Sequence, residues 1–472
     1  MTDGDPDNTG PQGSASNRPS SQRPPSSSYQ PRHAREVAAS EPRWWRRGLA
    51  ALGVLALLAV TVIAYQVSDR RSEDRVSSGP AATTSTLVDR STSSRSTTSR
   101  STTTLSGPDG DPGSVTTTTR GSKKPKPKPM TGPDAITLAF AGDLLPHTPL
   151  TAQAARYGST TAKRFDFDPM LAPMKPIISG ADVAICHMET PVAPDQNRLS
   201  GYPAFGGPVE LVDAAKNAGY DGCSNGSNHS LDRGQEGIAA TLARFDQDGL
   251  HHAGTARSAQ EAATTTVYDV KGVKVAHLSY AYGFNGYRLP ANAPWAANQI
   301  DVGRIKVAAA KARAEGADLV VLSVHWGNEY QSDPSRDQRD VAMALLPSPD
   351  IDLIIGCHAH VVQPIDQVGG TFVVWGMGNQ LANQQEVPKV DGLTAIATAR
   401  RGPDGKWKVA GVEAVPTWVE GGTFRVLPAV PTLADPAIPT GLRAALSASY
   451  DRTAATVLRN HTPGVSVAPK PG

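Results

Sequence analysis

From about residue 134 onward the chain predicts an α/β domain, and three features carry that reading. Apolar runs of strand length alternate with helical patterns, several of the runs are too continuously apolar for a sheet with one wet face, and most of them end in Asp, Glu, Asn or His. The domain takes up only part of the 472 residues, because the N-terminal portion has a composition that cannot build a core.

Residues 1–47 are rich in Ser, Pro, Asp and Arg and read as a disordered, cytoplasmic N-terminal segment. Residues 48–67, GLAALGVLALLAVTVIAYQV, carry no charge over twenty positions. As a helix rising ~1.5 Å per residue, that length crosses a hydrocarbon core of ~30 Å, so a transmembrane helix is expected. A cleaved signal peptide is the rival, but the run starts late, and Tyr65, Gln66 and Val67 make a poor small-residue cleavage site. Upstream stand Arg32, Arg35, Arg43, Arg46 and Arg47; downstream, Arg70, Arg71 and Arg75 are mixed with Asp69, Glu73 and Asp74. That bias places the N-terminus in the cytoplasm and the large domain outside it, with Trp44 and Trp45 suited to the interfacial belt. Residues 68–133 form a Ser/Thr/Pro-rich linker, read as a solvated extracytoplasmic spacer. The net charge of +2 gives no basic footprint, and no nucleic-acid partner is expected.

Within residues 134–430 the strand candidates are ITLAFAGD (136–143), ADVAICHMETP (181–191), YDGCSNGSNH (220–229), VKVAHLSY (273–280), ADLVVLSVHWG (317–327), IDLIIGCHAH (351–360) and TFVVWGMGN (371–379). Helices are expected between them. PVELVDAAKNAG has Pro208 near its start and Gly219 at its end, GQEGIAATLARFDQDG lines Ile238, Leu242 and Phe245 along one face, and VGRIKVAAAKARAEG stops at Gly316. Residues 431–472 are read as a C-terminal tail.

Asp143, Glu189, Asn228 with His229, His325, and His358 with His360 all fall at or just beyond strand C-termini, the edge where open α/β sheets bind ligands. His358 and His360 stand at i and i+2, so continued strand geometry would send both to one face. Two carboxylates, an amide and several imidazoles on one rim suit divalent metal ions, two in number, of the Mn, Zn or Fe kind.

In combination and order, FAGDLLPH, CHMETPVAP, SNHSLDRG, VHWGNEY, GCHAHVVQP and GMGN resemble the motifs of the poly-γ-glutamate capsule synthesis family of the CapA/PgsA type, which is similar to the calcineurin-like metallophosphoesterases. The likeness covers about residues 135–385. It implies a four-layer fold, a two-sheet β-sandwich flanked by helices. It also implies that Asp143 holds one metal, Glu189 bridges two, Asn228, His325 and His358 hold the second, and His360 closes the first. His229 would then lie in the outer shell as a catalytic residue near an anionic substrate. The sequence departs from the phosphoesterase Asp-x-His motif, since Leu144 and Leu145 follow Asp143, and His147 at i+4 is read as exposed or capping. The longer Glu189 stands where phosphoesterases bridge with Asp.

Other readings compete for some of these residues. GCSNG at 222–226 matches a serine-hydrolase elbow around Ser224, but Ser227, Asn228 and His229 intervene before the next helix. Cys186 and Cys223 form either a disulfide or two small buried hydrophobes, and Cys357 is read as a structural thiol facing away from the histidines. His251 and His252 are expected to satisfy a helix end, and His277 is read as a hydrogen-bonded core residue. Trp326 either packs the rim or stacks on substrate, and the loop 281–298, with Tyr282, Phe284, Tyr287, Arg288 and Trp295, is either a lid or an ordinary surface loop.

The expected function is that of a membrane-anchored, extracytoplasmic CapA-like protein for synthesis, export or attachment of an anionic polymer, with polymer synthase or exporter subunits as partners. The alternative is a metal-dependent phosphoesterase or amide hydrolase of the cell envelope. The expected activity leans to that of a metal-dependent hydrolase, with a non-enzymatic alternative in which the metal rim grips polymer carboxylates for a synthase or exporter.

Overall fold

The structure, a computed structural model, describes residues 133–346 and 348–471. The expected membrane span at 48–67, the segment before it and all but the end of the linker lie outside the described residues. Among the described residues no helix is long and apolar enough to cross a membrane.

Fifteen strands are present among these residues: β1 (Ala135–Leu144), β2 (Val183–Met188), β3 (Gly222–Ser224), β4 (His251–Ala253), β5 (Thr266–Val270), β6 (Val273–Ala281), β7 (Leu319–His325), β8 (Leu353–Cys357), β9 (Ile365–Val368), β10 (Thr371–Val374), β11 (Asn379–Leu381), β12 (Asp391–Arg401), β13 (Trp407–Val419), β14 (Val426–Pro428) and β15 (Val465–Val467). They make two sheets. One has nine strands in the order β14-β13-β12-β1-β2-β3-β4, with β11 beside β1 and β15 beside β13; the other has six, β5-β6-β7-β8-β10-β9. β1 to β4 run parallel, as do β6, β7, β8 and β10, so each sheet gathers strand C-termini along one edge.

Between the sheets Ile136, Leu138, Phe140, Val183 and Ile185 pack against Val275, Leu319, Val321, Leu353 and Ile355. The outer face of the nine-stranded sheet is covered by α1 (Thr148–Thr161), α2 (Glu210–Ala218) and α3 (Gly234–Asp248) through Leu150, Leu211, Ile238, Leu242 and Phe245. The outer face of the other is covered by α4 (Val302–Ala314) and α5 (Arg336–Leu345) through Ile305, Ala309 and Leu345. The order is therefore helix, sheet, sheet, helix, the four layers expected. The predicted helix ends at Gly219 and Gly316 are also present, with φ of 107° and 94°, backbone that only glycine adopts without strain.

Two expectations change. His251 and His252 lie in the edge strand β4 instead of finishing a helix. The expected C-terminal tail is part of the domain: β15 pairs in parallel with β13, and α6 (Thr440–Val457) buries Leu446 and Val457. Arg452 on α6 donates from Nε and Nη2 to the two carboxylate oxygens of buried Asp391 on β12, at 2.7 and 2.8 Å. Arg452→Ala should therefore cost about 2 kcal/mol, from hydrogen bonds to a charged group, read as a lower urea midpoint. An unchanged midpoint would mean that the Arg452–Asp391 pair contributes nothing to the domain's stability.

Candidate metal centre

Strand alternation aims most of the site. On β2, Val183 and Ile185 face the inter-sheet core while Ala184, Cys186 and Met188 face the helices, so His187, and Glu189 just beyond the strand, turn inward. β7 repeats the pattern, with Leu319 and Val321 inward and Val320, Leu322 and Val324 outward, which sends His325 inward as its last residue. On β1 the phase would be wrong for Asp143 but for a register irregularity between Phe140 and Asp143. That bulge turns Asp143 toward the site and leaves Leu144 packed outward. It requires Gly142, where any Cβ would collide with the carbonyl oxygen of Gly378.

His358 and His360 do not follow the expected rule. β8 ends at Cys357, and the two histidines converge through backbone turns with φ of 94° and 53°, not through strand alternation. Such left-handed residues each cost on the order of 1–3 kcal/mol and persist only where their surroundings fix them. Here the His358 backbone N–H donates to the Asp143 carboxylate, 3.3 Å from either oxygen.

Among the described residues the donor atoms gather in four groups, and two of them share Glu189. Asp143, Glu189 and His360 offer atoms all within 4.8 Å of one another, and so do Glu189, His325 and His358. His360 Nδ1 is 3.0 Å from Asn379 Oδ1 and 3.1 Å from Asp143 Oδ2, and its Nε2 lies 3.8 Å from Glu189 Oε1. His325 Nε2 is also 3.8 Å from Glu189 Oε1, and 2.9 Å from Asn228 Oδ1. Both Glu189 oxygens and His358 Nδ1 are buried without any hydrogen-bond partner. A buried acceptor left unpaired costs about 1–3 kcal/mol, more when charged. A divalent cation would satisfy all three atoms at once, so the residues present fit one.

Burial and the contacts between carboxylates and imidazoles set the charges of these groups. Burial pushes the Glu189 carboxyl well above the usual carboxylate value, only partly offset by His360, with the Asp143 charge adding to the rise. Burial also works against ionised Asp143, but the hydrogen bond and charge of His360, with His187 and His358 behind, hold it below its ordinary value. His360 is pushed up to about 10: burial opposes its charge, yet Glu189 and Asp143 outweigh that. Burial lowers His325, His358 and His187, the last two to about 4, so these rings are neutral ligands or supports at ordinary pH.

His229 stands apart from both groups. Its Nδ1 is 2.7 Å from Asp232 Oδ2, and its ring meets Phe205 edge-on. His147 stands at the N-cap of α1, without a side-chain capping bond; it is half-buried, its Nδ1 accepts from the Asn383 N–H, and burial holds it at about 4. Ser224 is buried, and α3 begins ten residues after it, so the serine-hydrolase elbow is absent. Cys357, expected to face away, lies on the inter-sheet face with Sγ within 4.8 Å of donor atoms of Asp143 and His187. Trp326 packs: it is buried, donates Nε1–H to the Trp375 carbonyl and stacks on the Trp375 ring. His277 is the expected core residue, with Nε2 2.9 Å from Ser323 Oγ. The loop 281–298 places Tyr282 against His358, ring centroids 4.8 Å apart, and Asn285 near His229, while Phe284 and Ala293 anchor it in the core.

Three participants escaped the sequence reading. His187 is i−2 from Glu189, the same spacing that drew attention to His358 and His360. Exposed Glu329 lies with His358 and His360 within 4.8 Å at the mouth, on a loop whose direction no periodicity announces. Asp232, three residues after His229, is the His229 partner.

Comparison with known proteins follows the same lines. Residues 137–384 match the family described as bacterial capsule synthesis protein PGA_cap. The chain is 26% identical over 287 residues to the PGA biosynthesis protein CapA of Bacillus subtilis (strain 168), covering 59% of this chain and 72% of that one. It is 26% identical over 258 residues to the capsule biosynthesis protein CapA of Bacillus anthracis, covering 53% of this chain and 61% of that one. Among solved structures it is similar to the calcineurin-like phosphoesterase YfkN from Bacillus subtilis, at 14% identity and a TM-score of 0.36 over 68% of this chain and 96% of that one. It is also similar to a 5'-nucleotidase precursor from Thermus thermophilus, at 13% identity and a TM-score of 0.38 over 68% of this chain and 58% of that one.

Proposed function

Because this chain belongs to the bacterial capsule synthesis protein family, we propose that it is a membrane-anchored, extracytoplasmic protein serving the synthesis, export or attachment of an anionic surface polymer of the poly-γ-glutamate kind, through a divalent-metal centre between its two sheets. The observation that carries the metal centre is Glu189, whose two buried, unpartnered oxygens lie where both donor groups overlap. Asp143, Glu189 and His360 would hold one ion of the Zn, Mn or Fe kind, and Glu189, Asn228, His325 and His358 a second. Such an ion, when bound, supplies Lewis acidity toward a carboxylate, amide or phosphoryl oxygen. The Cys186–Cys223 disulfide supports a place outside the reducing cytoplasm.

The His229–Asp232 pair favours hydrolysis of an amide or phosphoester over passive gripping of polymer. Asp232 takes the Nδ1–H and fixes the ring, which leaves Nε2 to exchange a proton with substrate. Polymer synthase or exporter subunits would be the partners. The test uses full-length chain loaded with Zn or Mn, measuring retention of poly-γ-glutamate and turnover of γ-glutamyl amides and phosphodiesters, each with and without EDTA. Metal-dependent retention or turnover is expected, and His229→Ala should abolish turnover while its metal content stays at the wild-type level. Neither retention nor turnover by the loaded chain would sink the reading.

A further inference from the structure

Four polar side chains stand in line behind the centre. Ser224 Oγ lies 2.8 Å from His187 Nδ1, His187 Nε2 lies 2.9 Å from His325 Nδ1, and His325 Nε2 lies 2.9 Å from Asn228 Oδ1. None of the four is more than 2% exposed, so each hydrogen must be accounted for among them and the backbone beside them.

Two assignments satisfy the line. In the first, the Ser224 hydroxyl donates to His187 Nδ1, His187 Nε2–H to His325 Nδ1, and His325 Nε2–H to Asn228 Oδ1. In the second, both rings take the opposite tautomer: His325 Nδ1–H donates to His187 Nε2, His187 Nδ1–H donates to Ser224 Oγ, and the Ser224 hydroxyl turns to the Cys186 carbonyl, 3.3 Å away. Each ring carries one proton in both arrangements, so they do not differ in charge. Only the second leaves His325 Nε2 bare, and that nitrogen is the one beside Asn228 Oδ1 and 3.8 Å from Glu189 Oε1.

We infer that His187 is a positioning residue: as acceptor for His325 Nδ1–H it holds His325 in the tautomer that presents Nε2 to a divalent cation, with Ser224 and the Cys186 carbonyl closing the line behind it. The inference rests on the metal-centre reading above. Without an acceptor at that place the buried Nδ1–H would go unpaired, and His325 would favour the tautomer that donates to Asn228 and withholds its lone pair from the cation. His187 Nε2 also lies 3.8 Å from Asp143 Oδ1, which raises the rival role of a direct ligand beside Asp143. The shorter 2.9 Å contact assigns that nitrogen to His325 instead.

Substitution separates the roles, because the Oε1 of a glutamine can accept where Nε2 does but replaces an imidazole ligand poorly. Zn(II) affinity of the full-length chain, measured by chelator competition, should fall roughly 10–100-fold in His187→Ala, the usual weight of a partner behind a metal-bound imidazole. His187→Gln should return it to within a few-fold of wild type. Wild-type affinity in His187→Ala, or a folded His187→Gln as weak as His187→Ala, would overturn the inference and leave the metal centre standing. A wild-type chain that takes up no zinc would overturn both.

Discussion

Glu189→Gln is expected to remove metal from both proposed positions, lowering zinc affinity by more than about 100-fold, beyond the 10–100-fold that outer partners usually command. The expectation follows from its membership of both donor groups: Glu189 stands with Asp143 and His360 in one and with His325 and His358 in the other. Glutamine preserves volume and one carbonyl oxygen, so packing against the seam survives, and what disappears is the anionic pair of oxygens that no hydrogen bond otherwise satisfies. The single-sided variants should behave differently. His358→Ala removes a donor from the Glu189, His325 and His358 group and should empty that position, while His360→Ala should empty the other. Metal content per chain, measured on folded protein, distinguishes a shared ligand from a local one. Wild-type stoichiometry in Glu189→Gln would exclude the shared role.

The second large effect concerns stability. Cys186 and Cys223 face each other in register on the parallel strands β2 and β3 and form a disulfide spanning 37 residues. In the chain-entropy account, closing a loop of that length disfavours the unfolded state by about 4 kcal/mol. The double variant Cys186→Ala, Cys223→Ala leaves no buried hydroxyl to complicate the comparison, and its urea midpoint should fall accordingly. Adding reductant to wild type should produce much of the same fall, and adding it to the double variant none. If the double variant and wild type unfold together, the two sulfurs act only as small buried hydrophobes, the other reading that the sequence leaves open.

Much of the domain was readable because its central strands are parallel and buried on both faces, which forces long aliphatic runs such as those of β7 and β8. The hairpin β12–β13 was not. After Leu393 the buried hydrophobic positions of β12 are alanines, Ala395, Ala397 and Ala399, too weakly apolar to mark a period of two. At the site, the strand-end residues Asp143, Glu189, His325 and His358 could be found because parallel strands deliver their ends to one edge. The aim of His358 and His360 could not, because it depends on backbone angles that only the Asp143 contact and the surrounding turn impose. His187 went unnoticed for a simpler reason: it sits inside a strand between Cys186 and Met188, where a lone histidine looks like filler.

The pairing of β1 gives the chain two different borders. The match to the family model ends at residue 384, whereas the strand carrying Asp143 is zipped along Ala135 to Ala141 to β12, which begins at Asp391. Beyond β12 lie β13 and then β15, at Val465–Val467, so the strands that brace Asp143 continue well past the family match. The stretch that identifies this protein is thus shorter than the stretch that must fold. A gene fragment trimmed to the recognisable region would keep every candidate metal ligand and lose the scaffold that brings the first of them into place.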